Sequence, residues 1–314
     1  MQTSDIKVVF MGTPELSATV LKGLSDKGYN VILSVSQPDK PVGRKHVLTA
    51  PPAKTMAQEL GIEVYQPDSL RTDEAYEFIR NADPDLIVTA AYGKILPQRM
   101  LDIPKYGCIN VHASLLPEYR GAAPVQYSIL NGDDVTGVTI MKMDAGMDTG
   151  DILRQTEVAI DIDDNTESLM AKLAEAGRDL LLSSIDDYVE GKIISVPQDE
   201  DKVTLTAPVK PDDGIIDWNQ SARQIHDRIR ALSSWPGCST TFNGKRIKIY
   251  ASKLADGDNE EALPGQVTLA GKGNLKVRCQ TGSIYILELQ SEGGKRLKAI
   301  DCAHNFRAGQ RFGV

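Results

Sequence analysis

The chain has 314 residues, 25% charged and 41% hydrophobic, with a net charge of −8. That size allows two domains or one large α/β domain, and the composition is that of an ordinary globular protein. No apolar run approaches the roughly 20 residues of a membrane span, no basic-then-apolar leader opens the chain, and the four scattered cysteines (Cys108, Cys238, Cys279, Cys302) fit a reducing cytoplasm better than a disulfide framework or a zinc site.

The first two thirds alternate strand and helix. Ile6–Met11 reads as a strand. Thr13 is placed to cap a helix with Pro14 at its first position, and that helix, Glu15–Lys27, ends at Gly28. Asn30–Ser36 is the second strand. A helix over Ala53–Leu60 stops at Gly61, Glu63–Gln66 is a short strand, and Glu74–Asn81 is helical. Asp85–Ala91 and Gly107–His112 are apolar strands, and Ala123–Leu130 is helical. Gly137–Met143 and Asp151–Ala159 close the sheet. Runs that are apolar throughout indicate strands buried on both faces of a mostly parallel sheet. Apolar positions across Thr166–Glu190 suit one long amphipathic helix on a sheet face.

The pattern changes near Pro197–Pro211. One helix, about Ser221–Leu232, precedes a series of short strands. Ser239–Phe242 and Arg246–Tyr250 flank Asn243-Gly244, a strong hairpin signal. Further strands at Gly265–Leu269, Leu275–Cys279, Ile284–Gln290 and Arg296–Ile300, spaced by glycine turns, predict a small closed β-barrel. Charge divides at the same place. Residues 1–207 carry 19 Lys and Arg against 32 Asp and Glu, a net of −13, whereas residues 208–314 carry 16 against 11, a net of +5. A basic C-terminal part suits contact with a polyanion, and a lysine-rich solvated surface explains it equally well.

The chemistry-bearing stretch is Asn110-Val111-His112-Ala113-Ser114-Leu115-Leu116-Pro117. In a strand Asn110 and His112 share one face. A carboxylate follows in Met147-Asp148-Thr149-Gly150, with Asp144 as a rival and Asp151 as a turn cap. An amide, an imidazole and a carboxylate at strand ends suit proton transfer at a carbonyl. Of the other histidines, His226 on a charged helix and His304 near the C-terminus read as solvated. No two histidines have metal-ligand spacing, so no metal is expected. Gly12-Thr13-Pro14 reads as a capped turn rather than a nucleotide site. The segment Gln37–Lys54 holds Lys40, Arg44, Lys45 and Lys54 against one acid, Asp39, which suits either a phosphate-contacting arm or a plain exposed loop.

Asn-x-His before Ser-Leu-Leu-Pro, then Arg120-Gly-Ala-Ala-Pro and the Gly137–Asp151 run, closely resemble the 10-formyltetrahydrofolate-dependent formyltransferases. Gly12-Thr13-Pro14-Glu15, the Gln37–Arg44 loop, Ala91-Tyr92-Gly93, Asp217-Trp218, Ile229-Arg230-Ala231 and Trp235-Pro236-Gly237 narrow the resemblance to the methionyl-tRNA formyltransferase family, over essentially the whole chain. The resemblance implies a Rossmann-like catalytic domain over 1–190, a linker over 191–208 and an OB-like, tRNA-binding barrel over 209–314. It implies Asn110, His112 and Asp148 as the catalytic set, and Ser114, Leu115, Leu116 and Pro117 as the lining of a folate site. It places Arg44, with Lys45 and Lys40, on the tRNA. The sequence departs from the commonest family pattern after Arg44, at Lys45-His46-Val47-Leu48. The implied reaction carries the formyl group of 10-formyltetrahydrofolate to initiator methionyl-tRNA, releasing tetrahydrofolate, in a cytoplasmic monomer with no membrane partner. A sugar-nucleotide amine or glycinamide ribonucleotide as acceptor, hydrolysis of the folate, and a non-catalytic nucleic-acid-binding protein are the competing readings.

Overall fold

The computed structural model describes residues 5–43, 46–257 and 261–313. These fall into two compact units. The first comprises the described residues up to Gly121 with Val135–Ala159 and Met170–Leu205. The second comprises Ala122–Asp134, Ile160–Leu169 and the described residues from Thr206 on. Two segments from the first two thirds of the chain thus belong to the second unit, which chain order alone does not suggest.

The first unit holds a seven-stranded sheet. Its strands are Lys7–Gly12 (β1), Asn30–Val35 (β2), Val64–Tyr65 (β5), Leu86–Ala90 (β6), Cys108–His112 (β7), Val135–Lys142 (β9) and Ile152–Ala159 (β10), in the order β10-β9-β7-β6-β1-β2-β5. The five from β5 to β7 are parallel, and β9 pairs antiparallel with both β7 and β10. Lys40–Val42 (β3) and Val47–Thr49 (β4) pair as a small hairpin within the Gln37–Lys54 segment, where an arm or plain loop is expected. Arg120–Gly121 (β8) lies beyond β7, and Leu205–Thr206 (β11) marks where the chain leaves this unit. The helices are Glu15–Asp26 (α1), Pro52–Glu59 (α2), Asp73–Asn81 (α3) and Gln98–Leu101 (α4), with Pro124–Leu130 (α5) in the second unit.

Val9, Met11, Leu33, Val35, Ile79, Ile87 and Met100 form one continuous buried cluster on this sheet. Val8, Phe10, Leu86 and Val88 are also wholly buried, so the central strands are covered on both faces. Burial on both faces removes the apolar–polar alternation, which is why these strands read as continuous apolar runs.

Two local expectations change. Pro14 itself is the N-cap of α1, and Thr13 is used elsewhere: its backbone N–H donates to Ser17 Oγ (2.9 Å) and its hydroxyl donates to Tyr92 O (3.1 Å). The long helix is in fact two, Thr166–Leu182 (α6) and Ile185–Val189 (α7). The break falls at two serines whose hydroxyls both donate back to Leu180 O, at 2.9 Å from Ser183 and 2.5 Å from Ser184. Such back-bonding competes with the helical ladder.

In the second unit Ala222–Ala231 (α8) starts at a capping box, with Ser221 and Gln224 each satisfying the other's backbone. The strands are Cys238–Phe242 (β12), Lys245–Leu254 (β13), Val267–Gly271 (β14), Asn274–Arg278 (β15), Ser283–Ser291 (β16) and Arg296–Lys298 (β17), followed by Ala299–Cys302 (α9). They order as β12-β13-β16-β15-β14, with β17 also on β16. The open edges are joined by the C-terminal segment: Phe312 bridges to Phe242 on β12, and Arg311 bridges to Gln266 beside β14. Phe242, Phe306 and Phe312 pack with ring centroids 4.9–5.6 Å apart. The Asn243-Gly244 turn has φ of +50° and +71°, the left-handed pair that a two-residue hairpin demands.

His226 is the clear correction here. It is buried rather than solvated, with one ring nitrogen 2.9 Å from Ser252 Oγ and the other 3.0 Å from Ile162 O. Its helix turns that face inward to meet Ile160–Leu169, a segment distant in sequence. His304 is exposed, as expected.

Candidate active site

The carboxyl ends of β1, β6 and β7 lie along one edge of the sheet, where open α/β sheets place their ligands. Short-range bonds knit the loops there. Ser17 Oγ donates to Ala90 O (2.6 Å), and Gln37 Nε2 donates to Tyr92 O (2.9 Å). Gly12 is required at this edge, because a Cβ there would sit 2.5 Å from that of Ser17.

Asn110 lies on β7 between Thr89 of β6 and Met141 of β9. Thr89 Oγ donates to Asn110 Oδ1 at 2.7 Å. That bond fixes the amide orientation and leaves Nδ2, with its two protons, without a protein acceptor among the described residues. His112 ends the strand and is 6% exposed. Its Nε2 is 3.1 Å from Tyr119 O. A carbonyl oxygen can only accept, so Nε2 carries a proton. Nδ1 faces Asp148 Oδ1 at 3.7 Å, close enough for charge attraction and too long for a direct hydrogen bond. Asp148 Oδ2 accepts from the Gly121 backbone N–H at 2.9 Å. The structure therefore brings Asn110, His112 and Asp148 together. The rival Asp144 is used in a turn, accepting from Gly146 N (3.0 Å) and Thr149 Oγ (2.6 Å), and Asp151 accepts from Ser195 Oγ (2.8 Å).

Three non-glycine residues bordering this site have left-handed backbone: Ala91 (φ +46°), Tyr119 (+59°) and Asp148 (+56°). Strain of this kind costs of order 1–3 kcal/mol per residue and persists only where surrounding bonds enforce it. Cys108, two residues before Asn110, is no nucleophile, because burial pushes its thiol up to about 12.

The Ser114–Pro117 stretch divides. Ser114 is fully buried and its hydroxyl donates to Glu118 O at 2.6 Å, and Leu116 is 3% exposed. Thr139 Oγ anchors the stretch, donating to Ser114 O (2.7 Å) and accepting from Leu116 N (3.0 Å). Leu115 and Pro117 are half-buried and present apolar surface. The Leu116–Pro117 peptide is cis. Sequence reasoning missed Thr89 and Thr139. Each is a buried hydroxyl in a largely apolar strand, and such a group must find a partner.

In the Gln37–Lys54 segment, Lys54 bonds both carboxylate oxygens of Asp39 (2.8 and 2.9 Å), an interaction that with Gln66 holds the Asp39 carboxyl below its usual range. Lys40 Nζ donates to Gln37 Oε1 at 2.7 Å. Val42, Val47 and Leu48 of the hairpin are more than half exposed. Arg44 and Lys45 lie outside the described residues. Among the described residues no cluster of His, Cys, Asp and Glu is arranged to hold a metal ion, and no helix is long and apolar enough to cross a membrane.

The sequence pattern of the Formyl transferase family matches residues 6–185, more than half of the chain. The chain belongs to the formyltransferase family. The pattern of the family's C-terminal domain matches residues 208–307 of this formyltransferase. It is 46% identical over 293 residues to the methionyl-tRNA formyltransferase of Macrococcus caseolyticus, covering 93% of each chain. It is 47% identical over 297 residues to that of Geotalea uraniireducens, covering 94% of each. Among solved structures it resembles an N-formyltransferase from Helicobacter canadensis, crystallised with folinic acid and dTDP-3-aminofucose. The TM-score is 0.65 at 18% identity, over 90% of this chain and 98% of that one, a likeness of fold.

Proposed function

We propose that this formyltransferase moves the formyl group of 10-formyltetrahydrofolate onto the α-amino group of methionyl-initiator tRNA, giving N-formylmethionyl-tRNA for translation initiation. The observation that carries the reading is the 46–47% identity to methionyl-tRNA formyltransferases over 93–94% of both chains.

The geometry of the site supports this chemistry. A bond forms between the α-nitrogen and the formyl carbon, the bond from that carbon to N10 breaks, the α-nitrogen loses a proton and N10 gains one. Asn110 Nδ2, held outward by Thr89, donates to the formyl oxygen as it gathers negative charge; one such donor is worth about 3 kcal/mol or more. His112 Nε2–H is committed to Tyr119 O, so Nδ1 is the nitrogen that takes or gives a proton. Asp148 faces that nitrogen and supplies the counter-charge for an imidazolium. Leu115 and Pro117 offer apolar surface to a flat pterin, while Ser114 and Leu116 shape it from beneath.

Arg44, Lys45 and Lys40 are assigned to the acceptor end of the tRNA. Lys40 keeps its exposed position on the hairpin. The catalytic part spans 1–190, the linker 191–208 and the tRNA-binding barrel 209–314, whose net charge of +5 suits a polyanion. The reading includes a monomeric protein. Four free, buried cysteines support a cytoplasmic location.

Incubation with 10-formyltetrahydrofolate and initiator methionyl-tRNA, an amino-sugar nucleotide, glycinamide ribonucleotide, or no acceptor tests the reading. Consumption of the folate only with the tRNA is expected. Equal or faster consumption with a small amine, or with water alone, overturns it. Arg44→Ala should weaken use of the tRNA and spare slow formylation of a small amine.

A further inference from the structure

Residues 198–204 fall in the stretch that the sequence reads as a linker, and the structure uses them differently. Gln198 is 9% exposed and every polar atom of its side chain is engaged. Its Nε2 donates to Asp148 O (2.8 Å) and to Gly150 O (2.7 Å). Its Oε1 accepts from Arg120 Nε (2.9 Å). Arg120 is 4% exposed and its outer nitrogens grip Glu200 (2.8 and 3.3 Å), an interaction that holds the Glu200 carboxyl below its usual range. Thr204 completes the connection: its Oγ accepts from Tyr119 N (2.7 Å) and its carbonyl accepts from Arg120 N (2.9 Å).

These bonds converge on two loops. The 119–121 loop supplies the Tyr119 carbonyl to His112 Nε2 and the Gly121 N–H to Asp148 Oδ2. The 148–150 loop carries Asp148 itself, with its left-handed backbone. Gln198 bonds both loops directly, through Arg120 on one side and the Asp148 and Gly150 carbonyls on the other. Asp148 is thus held at its carboxylate by one loop and at its own carbonyl by Gln198.

We propose that Gln198, with Arg120 and Thr204, is a positioning device for the His112–Asp148 pair: a strap that sets the Asp148 carboxylate beside His112 Nδ1. The proposal rests on the catalytic reading given above for its kinetic consequence, and on geometry alone for its effect on His112. The strap touches neither substrate. It acts through Asp148, and its loss therefore slows turnover without changing how substrates are held.

Gln198→Met keeps the side-chain length and removes all three bonds. A displacement of about 1 Å at a reacting group can cost roughly 100-fold, so kcat should fall 10- to 100-fold while KM for the folate and for the tRNA stays within two-fold. In an Asp148→Asn background the same change should add less than two-fold. Thr204→Val, at an exposed position, tests the strap with little risk to folding, and Thr204→Ser should restore the wild-type rate. Independently of activity, the NMR signals of the His112 ring, assigned with His112→Asn and read at one fixed pH, should shift in Gln198→Met as the carboxylate swings away. A folded Gln198→Met with wild-type kcat, a fully additive loss on Asp148→Asn, or unmoved His112 ring signals overturn the strap. Failure of the wild-type protein to formylate methionyl-tRNA overturns the functional reading instead, and the His112 ring signals still decide the strap.

Discussion

The orientation of the Asn110 amide offers the sharpest test of the oxyanion argument. Thr89 Oγ stands 2.7 Å from Asn110 Oδ1, and 3.3 and 3.2 Å from Ile109 O and Met143 Sδ. The hydroxyl has one proton, and the shortest contact takes it. Thr89→Val preserves shape and deletes that donor. The net worth of such a hydrogen bond is about 1 kcal/mol. Losing it lets the amide turn over, presenting an acceptor to the developing oxyanion in a large share of molecules. A change of 1 kcal/mol is about five-fold in the ratio of the two orientations, so kcat should fall roughly two- to five-fold. Asn110→Ala removes the donor outright and should cost roughly 100- to 1,000-fold in kcat, with KM nearly unchanged. Single-turnover formylation, with both substrates saturating, isolates the chemical step. The double variant should be no slower than Asn110→Ala alone. A Thr89→Val enzyme with wild-type kcat, or a double variant slower by a further 5-fold, would refute the claim that Thr89 acts by aiming the amide.

Three other outcomes are expected. His112→Ala and Asp148→Asn should each lower turnover by at least 100-fold with little change in tRNA affinity by filter binding; near-normal turnover in either removes it from the catalytic set. Gly137→Ala should destabilise the first unit by roughly 2–3 kcal/mol, because the added Cβ would lie 2.1 Å from Thr156 O and 2.5 Å from Leu115 Cδ2; a melting temperature unchanged within 1 °C would show that β9 yields freely. Stability should fall on acidification through His226. Burial pulls its pKa below the ordinary 6.5, so the unfolded chain binds the proton first. The neutral ring's contribution is therefore complete above pH 6.5 and declines, by at most about 1.4 kcal/mol per pH unit, as pH falls from there to the folded pKa. His226→Gln should flatten the melting-temperature profile between pH 7.5 and 5.5, and an identical slope in both proteins would place the sensitivity elsewhere.

Much of this molecule is written locally in its sequence. Strands buried on both faces read as unbroken apolar runs, and Gly28 and Asn243-Gly244 marked element ends through backbone chemistry that needs no distant partner. Asn110 and His112 were legible as a pair because a strand's two-residue period puts them on one face whatever surrounds it. What stayed hidden depends on contacts between residues far apart in the chain. His226 looked solvated because its own helix is charged, and its burial comes from Ile162 and Ser252. Ser114 looked free to face a ligand, and only the turn that brings Glu118 O to its hydroxyl uses it up. Without the family resemblance, position along the chain could not separate Asp148 from Asp144, since both follow the same strand; the loop that bonds one into a turn and presents the other to His112 makes the choice. Gln198 carried no signal at all, lying 50 residues from Asp148 in a stretch whose composition reads as linker. Periodicity and turn chemistry are properties of neighbours along the chain and survive in the sequence. Which carboxylate meets the imidazole, and what holds it there, is a property of neighbours in space, and only the folded chain decides it.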